Sequence, residues 1–107
     1  MSMVLVETHA FTRRVVALLS DEEFTQLQLA LVIRPDAGAL IPGGGGLRKL
    51  RWRAKGHGKR GGVRVIYFWA VSHSRILLLY IYAKGEQDDL TPDQLKVLRQ
   101  LMEAEYP

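Results

Sequence analysis

Apolar residues recur along this chain with two different periods, and the switches between the periods mark its elements. Met3–Val6 is short, apolar and β-branched, and it reads as a first strand. Beyond it, Phe11, Val15, Leu18 and Leu19 recur at the three-to-four-residue spacing that gathers side chains on one helical face. Thr8 stands where its hydroxyl can cap that helix. A second helix opens at "SDEE". Ser20 and Glu23 have the spacing of a capping box, and Asp21 and Glu22 fall where the helix dipole favours anions. Phe24, Leu27 and Leu31 line its buried face. Pro35 ends it, because the residue before a proline avoids helical geometry.

The segment "PDAGALIPGGGG" reads as a loop. Its four consecutive glycines lack the Lys-Ser or Lys-Thr of a phosphate-binding Walker motif, which leaves a flexible connector as the expectation. Leu47–Trp52 then alternates, with Leu47, Lys49 and Arg51 against Arg48, Leu50 and Trp52. Following the glycine-rich "GHGKRGG", Val63–Val71 and Arg75–Lys84 are two β-branched and aromatic strands joined by Ser72-His73-Ser74, the clearest hairpin signal in the chain. Alternation puts Arg64, Ile66 and Phe68 on one face of the first strand and Val63, Val65, Tyr67 and Trp69 on the other. Tyr80, Tyr82 and Lys84 share a face of the second. Finally, "LTPDQLKVLRQL" is a helix capped by Thr91, with Pro92 first and Leu95, Leu98 and Met102 inward. The order β-α-α-β-β-β-α predicts an α+β fold, a twisted and mostly antiparallel sheet with two N-terminal helices and one C-terminal helix. A length of 107 residues predicts one domain, 1–107.

Charge changes the picture. The segment 37–85 holds ten Lys or Arg and no carboxylate, a sum of +10. The flanks are acidic: three bases against five acids before it give −2, and two against six after it give −4. Within the 18 residues Leu47–Arg64 stand eight bases, a His and a Trp. So much uncompensated charge calls for a polyanion as partner. The bland alternative, a solvated basic loop, fits a 49-residue acid-free segment poorly. The acidic ends are free to fold away from the basic face, and the sequence does not place them. No cysteine is present, which excludes disulfides and thiol chemistry. The apolar runs are too short to span a bilayer, and Glu7 interrupts any leader-like start, so a cytoplasmic location without membrane contact is the expectation.

Cleavage of RNA needs no metal when the 2′-hydroxyl attacks its own phosphate, but it needs a base, an acid and positive charge at the phosphorane. Histidine pairs commonly supply the first two. His9, His57 and His73 lie in surroundings too different to form such a pair. His57 can touch RNA from the basic loop, whereas His9 and His73 read as surface residues. A lysine crowded by cations can act as base, and the arginine fork fits phosphate oxygens. Trp52, Tyr67, Phe68 and Trp69 read as core rather than base-stacking residues. The phenols of Tyr80 and Tyr82 demand a wet or hydrogen-bonded edge. No residue set implies a metal or another cofactor.

In order along the chain, "LRKLRW", "GKRGGVRVIYFW" and "LLLYIYAKGEQDDLTPDQLKVL" resemble the RelE superfamily of toxins, most closely its HigB-type branch. The resemblance implies a RelE-like fold and a small basic ribonuclease that cuts messenger RNA in the ribosomal A site. It also implies a cognate antitoxin, usually with a helix-turn-helix domain. On that pattern Arg64 would hold the scissile phosphate and Lys84 would support the phosphorane. Lys49, Lys55 or Arg60 would fix the backbone or act as base, and Arg48, Arg51, Arg53, His57 and Lys59 would add contacts to messenger or ribosomal RNA. The family commonly places a tyrosine past the last strand to stack on the cut base. Here "GEQDDL" follows Lys84, so either Tyr82 takes over from the strand or stacking is lost and the mechanism leans on charge alone. The same fold hosts ParE-type inhibitors of DNA gyrase, and a basic nucleic-acid-binding module without chemistry is a further alternative.

Overall fold

The computed structural model describes residues 2–54 and 61–107. Their elements run β1 (Val4–Glu7), α1 (His9–Leu18), α2 (Asp21–Ile33), β2 (Ala39–Leu40), β3 (Arg48–Trp52), β4 (Val63–Ala70), a single 3₁₀ turn, β5 (Arg75–Ala83) and α3 (Pro92–Glu105). The strands form one mixed sheet in the order β1-β5-β4-β3-β2. β1 runs parallel to β5, and the other neighbours are antiparallel.

Capping residues start the helices where the pattern predicts. Thr8 accepts from the Phe11 N–H at 3.1 Å, and Ser20 with Glu23 and Thr91 with Gln94 complete reciprocal capping boxes. α1 and α2 cover one face of the sheet. Phe11, Val15, Leu27 and Leu31 pack there against Val63, Val65, Tyr67 and Leu78. α3 covers the other face, where Leu98 and Met102 meet Leu47, Ile66, Leu79 and Tyr82. No helix among the described residues is long and apolar enough to cross a membrane.

Three local features differ from the sequence reading. Ala39 and Leu40, inside the segment read as a loop, pair with Lys49 and Arg48 as a short edge strand. Two exposed residues carry no alternation from which a strand can be read. The glycines that follow form a compact turn instead of a free connector. Ile41 N–H donates to Leu47 O at 2.9 Å, and a side chain at Gly46 would stand 2.9 Å from the Phe68 ring. Third, Ile66 pairs with Tyr80 and Tyr67 with Leu78, so Leu79 is an extra residue in β5. That bulge puts Leu77 and Leu79 on the same face as Tyr80 and Tyr82.

Two polar arrangements tie the layers together. Where β1 ends, α1 takes over the free edge of β5. Thr8 N–H donates to Leu78 O at 3.0 Å, its hydroxyl to Leu79 O at 2.7 Å, and Arg14 Nε to Ile81 O at 2.6 Å. An open sheet edge is thereby satisfied internally. The Tyr67 phenol donates to Pro35 O at 2.7 Å and accepts from Gly38 N–H at 2.8 Å, which anchors the α2–β2 connection. Burial pushes its pKa up.

Candidate nucleic-acid interface

The basic side chains reach one face because of strand register. Arg51 is paired with Arg64 across β3 and β4, and Arg64 with Tyr82 across β4 and β5. The three residues therefore form a row across the α3 face of the sheet. Lys49 belongs to the neighbouring row with Ile66 and Tyr80. Lys84 follows two residues after Tyr82, and its backbone N–H donates to Gly62 O at 3.1 Å. Arg48 is not brought to this face. It pairs with Tyr67 on the α1–α2 side, where Nη1 donates to Gly38 O at 2.8 Å and Asp36 O at 3.3 Å. Arg51 and Arg53 are exposed beside a cleft that also includes Trp52 and Gln26. Lys55, His57, Lys59 and Arg60 lie outside the described residues.

The pair "GG" before "VR" is what sets Arg64. Gly62 has φ +67°, and a Cβ there would lie 2.1 Å from Trp52 O. Only glycine permits both the left-handed turn and the close approach of β3. From this turn Gly61 O accepts from Arg64 Nη1 at 2.8 Å, and Val63 O accepts at 3.2 Å. The guanidinium is thus held by two carbonyls, and Arg64 as a whole is only 8% exposed. A cation fixed in this way needs little reorganisation to meet an anion.

Tyr82, opposite it, is fully buried, and among the described residues its hydroxyl has no hydrogen-bond partner. The expectation of a wet or hydrogen-bonded edge fails here, because Leu98, Met102 and the sheet close over the ring. Base stacking by Tyr82 also fails in this conformation, since a ring with no exposure presents no surface to a base. Burial is the main cause that pushes its pKa up to about 12; Asp89 adds to the rise, and Arg64 opposes it. The phenol therefore keeps its proton at neutral pH. Tyr67 is wholly buried, and Trp52, Phe68 and Trp69 are partly buried against the core, in keeping with their reading as packing residues. His9 and His73 are exposed.

The acidic turn after β5 was not foreseen as part of this face. Lys84 Nζ meets Asp88 Oδ1 at 2.5 Å, and Lys49 Nζ meets Asp89 Oδ1 at 3.2 Å. Local spacing reveals neither pair: Lys84 and Asp88 lie four residues apart in a turn that is not helical, and Lys49 and Asp89 lie 40 apart. Among the described residues no cluster of His, Asp and Glu could hold a metal.

The sequence matches the family described as the RelE toxin of the RelE/RelB toxin–antitoxin system over residues 8–105. The chain belongs to the RelE toxin family. Two solved structures share the fold at low identity. An arginine double mutant of E. coli RelE in the free state superposes with a TM-score of 0.62 at 13% identity, over 95% of this chain and 98% of that one. The toxin of the intact E. coli RelBE toxin–antitoxin complex gives 0.59 at 15% identity, over 77% and 96%. The RelE fold of this chain thus presents Lys49, Arg51, Arg64 and Lys84 on one sheet face around a buried tyrosine.

Proposed function

We propose that this RelE-family chain is a toxin that cuts messenger RNA on the ribosome, without a metal, and is held inactive by a cognate antitoxin with a helix-turn-helix domain. The observation that carries the reading is the Arg51–Arg64–Tyr82 row, flanked by Lys49 and Lys84 on the same face. Contacts of this kind neutralise phosphates and are mostly indifferent to sequence.

The reaction is a transesterification. The messenger 2′-oxygen forms a bond to the adjacent phosphorus as the bond to the 5′-oxygen breaks, leaving a 2′,3′-cyclic phosphate and a 5′-hydroxyl. Arg64, set by Gly61 and Val63, meets the charge that builds on the phosphorane, with Lys84 beside it. Lys55 of the basic segment receives the 2′-proton, while Arg60 and Lys49, an ammonium paired with Asp89, fix the backbone. Tyr82, protonated at neutral pH but fully buried beside Arg64, does not reach the leaving 5′-oxygen in this conformation, and that oxygen takes its proton from water. Arg51, Arg53, His57 and Lys59 hold messenger and ribosomal RNA.

Mapping RNA ends after induction in cells tests the reading. New 5′-hydroxyl ends inside translated messengers are expected. Intact messengers with a DNA-damage response would instead mark a gyrase inhibitor, and RNA binding without growth arrest a module without chemistry.

A further inference from the structure

The side chains that meet Lys49 and Lys84 are carboxylates of two adjacent residues, Asp89 and Asp88. Acids ahead of a helix usually serve its N-terminal dipole. Here they do more, because Asp89 reaches across the sheet to β3 while Asp88 turns back to the end of β5. The turn that carries them is pinned at both ends. On one side Glu86 N–H donates to Ala83 O at 3.0 Å, and the Glu86 carboxylate accepts from Ala83 N–H at 2.8 Å. On the other, Gln87 Nε2 donates to Asp89 O at 2.8 Å and to Gln94 Oε1 at 2.9 Å, within the capping box of α3. The carboxylates are therefore presented to the ammonium groups intramolecularly. Asp88 is 92% exposed, so its pair with Lys84 lies open to exchange from solvent. Lys84 holds the Asp88 carboxyl below the usual carboxylate range. Asp89 is lowered first by the Leu90 N–H and also by Lys49.

We infer that the Asp88–Asp89 turn is an internal competitor for RNA, with its two carboxylates standing where RNA phosphates bind Lys84 and Lys49. The inference rests on the functional reading above and specifies how that face is regulated. RNA binds by exchange: each phosphate takes an ammonium that a carboxylate releases. Two consequences follow. Affinity is held below what the cations alone would give, which lets a structured complex that supplies other contacts win over free RNA. The salt dependence is also shallow, because a lysine already neutralised by an aspartate releases no counterion when a phosphate replaces it.

The test uses the full chain and a short fluorescent RNA with a 2′-O-methyl backbone, which binds but cannot be cut. Fluorescence anisotropy over a salt series compares wild type, Asp88→Asn/Asp89→Asn and Glu103→Gln/Glu105→Gln. Asparagine keeps the oxygen that accepts from Leu90 N–H. The glutamine pair removes the same charge at the far end of α3, where Tyr106 packs on His73 of the β4–β5 turn, and frees Arg99 from Glu103 away from Lys49 and Lys84. Exposed ion pairs of this kind are weak, so freeing both predicts a gain of about 2- to 30-fold in affinity. Two more counterions released on a single strand steepen the log–log salt slope by about 1.4. The glutamine pair should show the smaller gain of net charge and no change in slope. Matching affinity and slope in the two double variants would overturn the inference while leaving the functional reading intact. Absence of RNA binding in all three proteins would overturn both.

Discussion

Arg64 and Tyr82 stand directly opposite each other across β4 and β5, and both are withdrawn from solvent, at 8% and 0% exposure. Arg64 Nη1 donates to Gly61 O and Val63 O, whereas the phenol has no partner among the described residues. A charged fork set in place beside an unused proton donor is an arrangement that stability alone does not favour.

Arg64→Ala is expected to lower messenger cleavage about a hundredfold, the loss of roughly 3 kcal/mol seen when one donor to a developing oxyanion is removed. Arg64→Lys keeps the charge but not the fork and should recover only part of the rate. Single-turnover cleavage, with circular dichroism as the check on folding, measures both. A folded Arg64→Ala protein with wild-type rate would remove Arg64 from the site.

Tyr82→Phe should separate activity from stability. An unsatisfied buried hydroxyl costs about 1–3 kcal/mol, so its removal should leave stability unchanged or raise it by about 1 kcal/mol. Cleavage should change little, because a phenol with no exposure does not reach the leaving 5′-oxygen. Tyr82→Ala opens a cavity under α3 and should lose about 3–5 kcal/mol of stability. Urea denaturation alongside the cleavage assay reads both effects. A large loss of rate in a folded Tyr82→Phe protein would instead place the phenol at the reacting atoms.

Alkaline pH supplies an independent reading of the same phenol. The Tyr82 pKa rises from 10.0 to about 12 on folding, so the native state holds the proton more tightly than the unfolded chain. The stability this contributes is fully present below pH 10.0 and is lost as pH rises through about 12. Tyr82→Phe should therefore show a smaller loss of denaturation midpoint across that window than wild type. Tyrosinate absorbance should show Tyr82 ionising late.

Gly62→Ala should be far more damaging than Gly43→Ala, although both positions have positive φ, +67° and +74°. At Gly43 a Cβ would meet nothing within 4 Å, so only the left-handed backbone is penalised, by about 1–2 kcal/mol. At Gly62 the same atom would lie 2.1 Å from Trp52 O, which forces β3 away from β4 and moves Arg64. Denaturation midpoints of the two variants check the difference, and cleavage should fall only for Gly62→Ala.

The sequence was legible wherever a local rule decided the structure. Capping residues at Thr8, Ser20 and Thr91 marked the helix starts, and alternation from Val63 to Val65 separated core residues from Arg64. Alternation places Lys49 with Arg51 on one side of β3 and Arg64 with Ile66 on one side of β4, and only the register makes these the same side. Illegible were the features made by distant partners. The β2–β3 pairing involves two residues, and the bulge at Leu79 is defined only against β4. The burial of Tyr82 depends on α3 crossing its face. Arg48 shows the limit most plainly. In sequence it is one more cation of the run, and only its pairing with Tyr67 turns it to the opposite face.

In the proposed function these residues supply phosphate contacts and limited acid–base power, while the ribosome supplies alignment. Holding the 2′-oxygen in line with the phosphate can be worth about 7–11 kcal/mol in favourable intramolecular cases. The direct measurement incubates one short messenger with the protein, either naked or programmed into ribosomes with an open A site, and compares initial cleavage rates. Rapid cleavage on the ribosome and very slow cleavage of the naked strand are predicted, with Arg64→Ala abolishing the former. Equal rates in the two tubes would contradict the claim.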